Sequence, residues 1–210
     1  MKKSILSIIT LLMLTLSLAV AAQASLLFDT GTPTTGPGVD LISPSFESVY
    51  QAGRFTLAQA ATITAVQGHM WTYHGYNGIV NAVIYGDKLV GNDYFPDGVV
   101  YQTGSFSATP SSSWQGASGL NWNFGAGTYW LAFQPEGNFF GGMYKNVPTP
   151  LSGYAVKYGQ DWVAADGSLG FRIEGNSGPT PDPVPEPSTY ALFCIGLGMF
   201  GYARKRMNKV

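Results

Sequence analysis

Hydrophobic and polar positions alternate with a period of two through the middle of the chain. Ala61 to Thr72 (ATITAVQGHMWT) sets Ile63 and Ala65 against Thr62 and Thr64, and its β-branched and aromatic content suits a strand. Ile79 to Tyr85 predicts a second strand. The same reading predicts strands at Glu47–Tyr50, Arg54–Leu57, Val99–Phe106, Thr128–Phe133, Tyr154–Tyr158 and Leu169–Glu174. Turn-forming clusters separate them, such as Asn92-Asp93, Pro96-Asp97-Gly98 and Ala165-Asp166-Gly167. Between residues 25 and 178 no segment of ten or more residues carries a helical stripe. About eight short strands in roughly 150 residues predict a single all-β domain. An antiparallel β-sandwich of jelly-roll-like form is expected, with an up-and-down barrel as the alternative.

The alternation stops at both ends. Lys2 and Lys3 precede an uncharged run from Ile5 to Val20, and Ala22-Gln23-Ala24 supplies small residues for cleavage, so residues 1–24 read as a secretory signal peptide. The mature chain is expected to begin near Ser25. At the other end, residues 179–187 (Pro-Thr-Pro-Asp-Pro-Val-Pro-Glu-Pro) predict an extended, polyproline-like linker. An apolar segment over 188–203 follows, and residues 204–210 form a basic tail containing Arg204, Lys205, Arg206 and Lys209. The uncharged run 189–203 spans about 23 Å as a helix, somewhat short of a ~30 Å hydrocarbon core, so it inserts with flanking residues or local thinning. The charge bias puts the tail in the cytoplasm and the middle of the chain outside. A buried core helix would need Gly196, Gly198 and Gly201 in one helix behind a Pro-rich break, at a cost in helix stability.

This C-terminus resembles the PEP-CTERM sorting signal of exported bacterial proteins. Pro185, Glu186 and Pro187 match the motif, the three glycines match its glycine-rich helix, and Arg204, Lys205 and Arg206 match its basic tail. The resemblance implies recognition by a membrane protease called an exosortase, and carriage by bacteria that make exopolysaccharide. It further implies transient insertion in the inner membrane of a Gram-negative-type cell, followed by release to the surface or extracellular matrix. Other anchoring signals are excluded by residue. No Leu-Pro-x-Thr-Gly sortase motif is present, position 25 is Ser where a lipoprotein has Cys, and a glycolipid-anchor signal would stop at its apolar tail. More loosely, Gly53–Leu57 with Ala60–Trp71, and Gly127–Ala132, resemble the sandwich domains common ahead of such tails.

Charge narrows the partners. Residues 25–187 hold all twelve acidic residues and five basic ones (Arg54, Lys88, Lys145, Lys157, Arg172), a net charge of −7. An acidic surface without basic clusters argues against nucleic acid. Cys194, the one cysteine, lies in the apolar segment, so the exported domain has no disulfide and depends on packing.

Candidate chemistry is sparse. No catalytic residue is expected: Gly-x-Ser-x-Gly, His-Glu-x-x-His and phosphate-binding glycine loops are all missing. His69 and His74 would point to opposite faces of a regular strand, which disfavours a shared metal, and no metal site is expected from them. Glu47, Glu136 and Glu174, with the turn aspartates Asp87, Asp93, Asp97, Asp161 and Asp166, permit a glycosidase pair only if folding brings two together. No cofactor is expected, although oxygens around Asp87 to Asp97 suit a structural calcium.

Aromatic residues are the abundant resource. Trp114 and Trp122, in the Ser/Gly/Asn-rich stretch 111–123, and Tyr73 and Tyr76, in a loop at 73–78, are the candidates for exposed ligand platforms. The expected function is a non-enzymatic surface or matrix protein, structural or adhesive, associated with exopolysaccharide or biofilm. The alternative is an extracellular carbohydrate-binding module or an unrecognised glycoside hydrolase.

Overall fold

The computed structural model describes residues 24–34, 38–43, 48–73, 76 and 78–178. Most of the expected signal peptide, the Pro-rich linker, the sorting helix and the basic tail lie outside them, as do Glu47 and His74. The described chain is all-β and antiparallel, with no helix among the described residues. In chain order the strands are β1 (Ser25–Asp29), β2 (Gly38–Ile42), β3 (Val49–Leu57), β4 (Ala61–Thr72), β5 (Ile79–Val90) and β6 (Asp93–Ser107). There follow β7 (Ser113–Phe124), β8 (Gly127–Pro135), β9 (Phe140–Tyr144), β10 (Tyr154–Tyr158), β11 (Asp161–Ala164) and β12 (Phe171–Ser177).

The hydrogen-bonded path runs β1-β12-β4-β9-β2-β3-β8-β5-β6, with β7 added to β4, β10 to β3, and β11 to β10. Its two halves join through one register pair, Ile42 with Val49, between β2 and β3. Side chains from the two halves share one buried cluster. The ring of Phe171 on β12 lies 6.4 Å from that of Phe55 on β3 and fills the space where a side chain at Gly53 would project. Gly68 on β4 likewise makes room for Phe133 on β8. Ile63, Val66 and Ile173 from one half and Ile84, Leu131 and Phe133 from the other belong to one buried cluster. Each such large apolar side chain contributes about 1.5–3 kcal/mol on full burial.

β4 shows how the alternation builds this core and where it breaks. Ala61, Ile63 and Ala65 face inward, as expected, but the pairing with β7 shifts between Ile63 and Ala65. This bulge buries Val66 beside Ala65 and reverses the parity, so Val66, Gly68 and Met70 continue inward. Gln67, His69 and Trp71 therefore turn outward, where unbroken alternation from Ile63 would have buried them.

Two stretches expected to be irregular are strands. Residues 113–124 form β7, with Gln115, Ala117, Trp122 and Phe124 buried between its small polar residues. The Pro96-Asp97-Gly98 cluster lies inside β6, where the pairing with β5 is irregular around Tyr85. There Asp97 Oδ1 accepts hydrogen bonds from the Gly86 and Val99 amides, so its carboxylate serves the bulge instead of a chain reversal.

Candidate functional site

The outward row of β4 leads into an aromatic corner. Trp71 pairs with Gly142 on β9, and the β4–β9 ladder continues through the Tyr73 amide, which donates to the Phe140 carbonyl at 3.0 Å. A side chain at Gly142 would meet the Trp71 ring at 2.7 Å, and one at Gly38 on β2 would meet its Nε1 at 3.1 Å. The indole thus lies across two neighbouring strands because both carry glycine where it passes. Tyr73 stands against it, 4.8 Å between ring centroids at 85°. Phe140 backs Tyr73 at 4.8 Å and 27°, and Tyr76 closes the row 5.7 Å from Phe140. The Tyr76 amide donates to the Tyr73 carbonyl at 3.0 Å. Tyr73 is 46% exposed, and Trp71, Tyr76 and Phe140 are half-buried.

Farther along the same face, Trp114 on β7 packs edge-on to His69 at 5.2 Å, and His69 packs against Tyr144 at 5.3 Å. The Arg172 guanidinium covers Trp114 at 4.6 Å, while its Nε donates to Gln67 Oε1. Burial, with the Arg172 charge, pushes the His69 imidazole below its usual pKa. This group is a half-buried packed cluster, with Arg172 stacked on one face of Trp114.

The four aromatic candidates therefore divide. Tyr73 and Tyr76 come together, Trp114 sits on the same sheet face within a different cluster, and Trp122 is in the core at 7% exposure. That last placement corrects the expectation for Trp122. Its partner across β4 is Ile63, an inward position, and its ring approaches Gly104 on β6. Sequence reasoning missed Trp71 and Phe140. The bulge in β4 concealed the first, and the second lies in a five-residue strand with two glycines.

Acidic residues are engaged separately. Asp87 lies on β5 and accepts two hydrogen bonds from Arg54, Nε to Oδ1 at 2.9 Å and Nη2 to Oδ2 at 2.6 Å. A third comes from Trp130 Nε1 to Oδ1 at 2.8 Å, and Arg54 is sandwiched under the Tyr94 ring at 3.8 Å. The pair is mostly buried, with side-chain exposures of 15% and 17%. Burial works to raise the Asp87 pKa, but the hydrogen bonds from Arg54 and Trp130 and the Arg54 charge outweigh it and hold the carboxyl below its usual value. The oxygens considered for calcium are thus committed to protein donors at Asp87 and to amides at Asp97. Among the described residues no three His, Cys, Asp or Glu side chains converge as metal ligands. Glu136 accepts from Asn81 at 2.7 Å, and Glu174 lies 3.6 Å from Arg172. A groove of about 540 Å³ beside Tyr94, lined by Asn92, Asp93, Gly153, Tyr154 and Asp166, opens on the half of the molecule containing β3 and β5.

No helix among the described residues is long and apolar enough to cross a membrane, and the expected span at 188–203 lies outside them. No curated protein matches the chain. A family model described as the PEP-CTERM protein-sorting motif matches residues 183–206, which include Pro185, Glu186, Pro187, Arg204, Lys205 and Arg206. The chain therefore carries a PEP-CTERM protein-sorting motif, which implies export and cell-surface sorting in bacteria with an exosortase as the processing membrane enzyme.

Proposed function

We propose that this protein is a non-enzymatic component of the bacterial surface or extracellular matrix, making structural or adhesive contacts with exopolysaccharide. The observation that carries the reading is the sorting motif at 183–206. In this reading residues 1–24 are removed on export, and segment 188–203 holds the chain in the inner membrane of a Gram-negative-type cell. Cleavage near Pro185, Glu186 and Pro187 then releases the β-domain, a sandwich of jelly-roll-like form whose inner faces meet at Phe55 and Phe171. The second reading, a carbohydrate-binding module, gains support from the exposed aromatic corner at Tyr73.

Intact mass of the native protein in membrane and matrix fractions, with and without the exosortase, tests the proposal. A matrix species running from near Ser25 to near Pro187, present only with the exosortase, is the expected result. A chain extending to Val210 and confined to the membrane in both strains would overturn the release step.

A further inference from the structure

We propose that Trp71, Tyr73 and Phe140 form a binding subsite for the apolar face of a pyranose ring in a neutral polysaccharide. The inference deepens the polysaccharide-contact reading above and rests on it.

Three features carry it. The first is shape. Trp71 lies across β9 and β2 as a floor, and Tyr73 rises from it at 85° as a wall supported by Phe140. A pyranose presents axial C–H bonds on one face and hydroxyls around its rim. The C–H bonds meet the electron-rich face of an aromatic ring favourably, and Tyr and Trp side chains each carry a polar group, a hydroxyl or an indole N–H, of the kind that bonds hydroxyls. Gly142 and Gly38 leave the space the indole needs, so the floor is built into the pairing of three strands.

The second feature is charge. Trp71, Tyr73, Tyr76, Phe140 and Gly142 are all uncharged, within an exported region of net charge −7. Exposed Asp40, the register partner of Gly142 on β2, adds a negative charge to the same row, so a polyanionic chain would be repelled on approach and the complementary polymer is neutral.

Position is the third. The chain leaves the domain at Ser177, whose register partner is Ala61 at the start of β4, whereas Tyr73 follows the last residue of that strand. Eleven strand steps separate those ends by about 36 Å. The corner is thus remote from Ser177, the end of β12.

The test uses the full-length protein in detergent micelles, titrated with cellohexaose, chitohexaose and xylohexaose, with oligoguluronate as the acidic probe. Tryptophan emission and calorimetry report binding. At least one neutral hexasaccharide is expected to bind saturably and oligoguluronate not to bind. Tyr73→Ala and Phe140→Ala are each expected to weaken that binding by about tenfold or more, while Tyr158→Ala on β10 leaves it unchanged. Circular dichroism and thermal midpoints establish that the variants fold. Four results would each overturn the subsite: no saturable neutral binding, tighter uronate binding, displacement by a peptide of residues 178–190, or a dimer that Tyr73→Ala dissolves. Neutral binding that survives both aromatic variants would also overturn it, while leaving polysaccharide contact as the function.

Discussion

Asp87 illustrates how a side chain's role depends on partners its local sequence does not show. Asp87-Lys88 resembles a turn signal, yet the carboxylate is held by Arg54 from β3 and Trp130 from β8. Asp87→Ala would leave a largely buried guanidinium and an indole N–H without their acceptor. The expected cost is about 3 kcal/mol in urea unfolding, and replacement at exposed Asp161 is expected to change almost nothing. The pair also shapes the acid limb of stability. Its folded carboxyl titrates below the unfolded value of about 3.9, so its contribution is present above that pH and is lost as pH falls through the lowered folded value. His69 acts in a higher window. Its folded pKa lies below the unfolded value of about 6.5, so its contribution is complete above that pH and declines as pH falls toward the folded value. Removing the titrating group in His69→Gln is expected to flatten the dependence of the thermal midpoint just below pH 6.5, without steepening it elsewhere.

At the level of elements, legibility followed side-chain pattern more closely than backbone pattern. β4 and β10 occupy the ranges their alternation predicts, because large apolar residues mark their inner faces. Other strands escaped notice where glycine or serine weakened the pattern. In β9, Phe140-Gly141-Gly142-Met143-Tyr144 offers little alternation in hydrophobicity, but its glycines permit close approach, Gly141 to the Trp71 carbonyl and Gly142 to the indole. β7 looked like an exposed loop for a related reason: its inward Ala117 is small, and the bulge opposite Ile63 and Ala65 interrupts its period. Gly142→Ala is expected to push the Trp71 ring off its strand platform, changing tryptophan emission and costing about 1–3 kcal/mol. The corresponding test of the interior is Gly53→Ala. Its methyl would fall on Phe171, the central ring between the two halves, and a similar or larger loss is expected in denaturant unfolding with native secondary structure retained below the midpoint.

On the scale of the whole molecule, two kinds of information are written in the chain in different ways. The sorting motif is a contiguous string, read by a processing enzyme along residues 183–206, and it was legible in full from those residues. The aromatic corner was legible only in part. Tyr73 and Tyr76 are close in sequence, but Phe140 and the two glycines reach them through the β4–β9–β2 pairing, and the orientation of Trp71 depends on a bulge. Among the described residues the buried cluster runs from Leu41 to Ile173, and the motif lies in a separate stretch of sequence. Replacing Pro185, Glu186 and Pro187 together by Ala should consequently separate the two functions. The purified variant is expected to unfold within about 1 °C of the parent, because no core side chain has changed. In cells, the same variant is expected to lose exosortase-dependent processing and accumulate as a species extending to Val210. A shifted unfolding midpoint would mean that the motif segment supports the fold, and unchanged processing would mean that the enzyme reads other residues of 183–206.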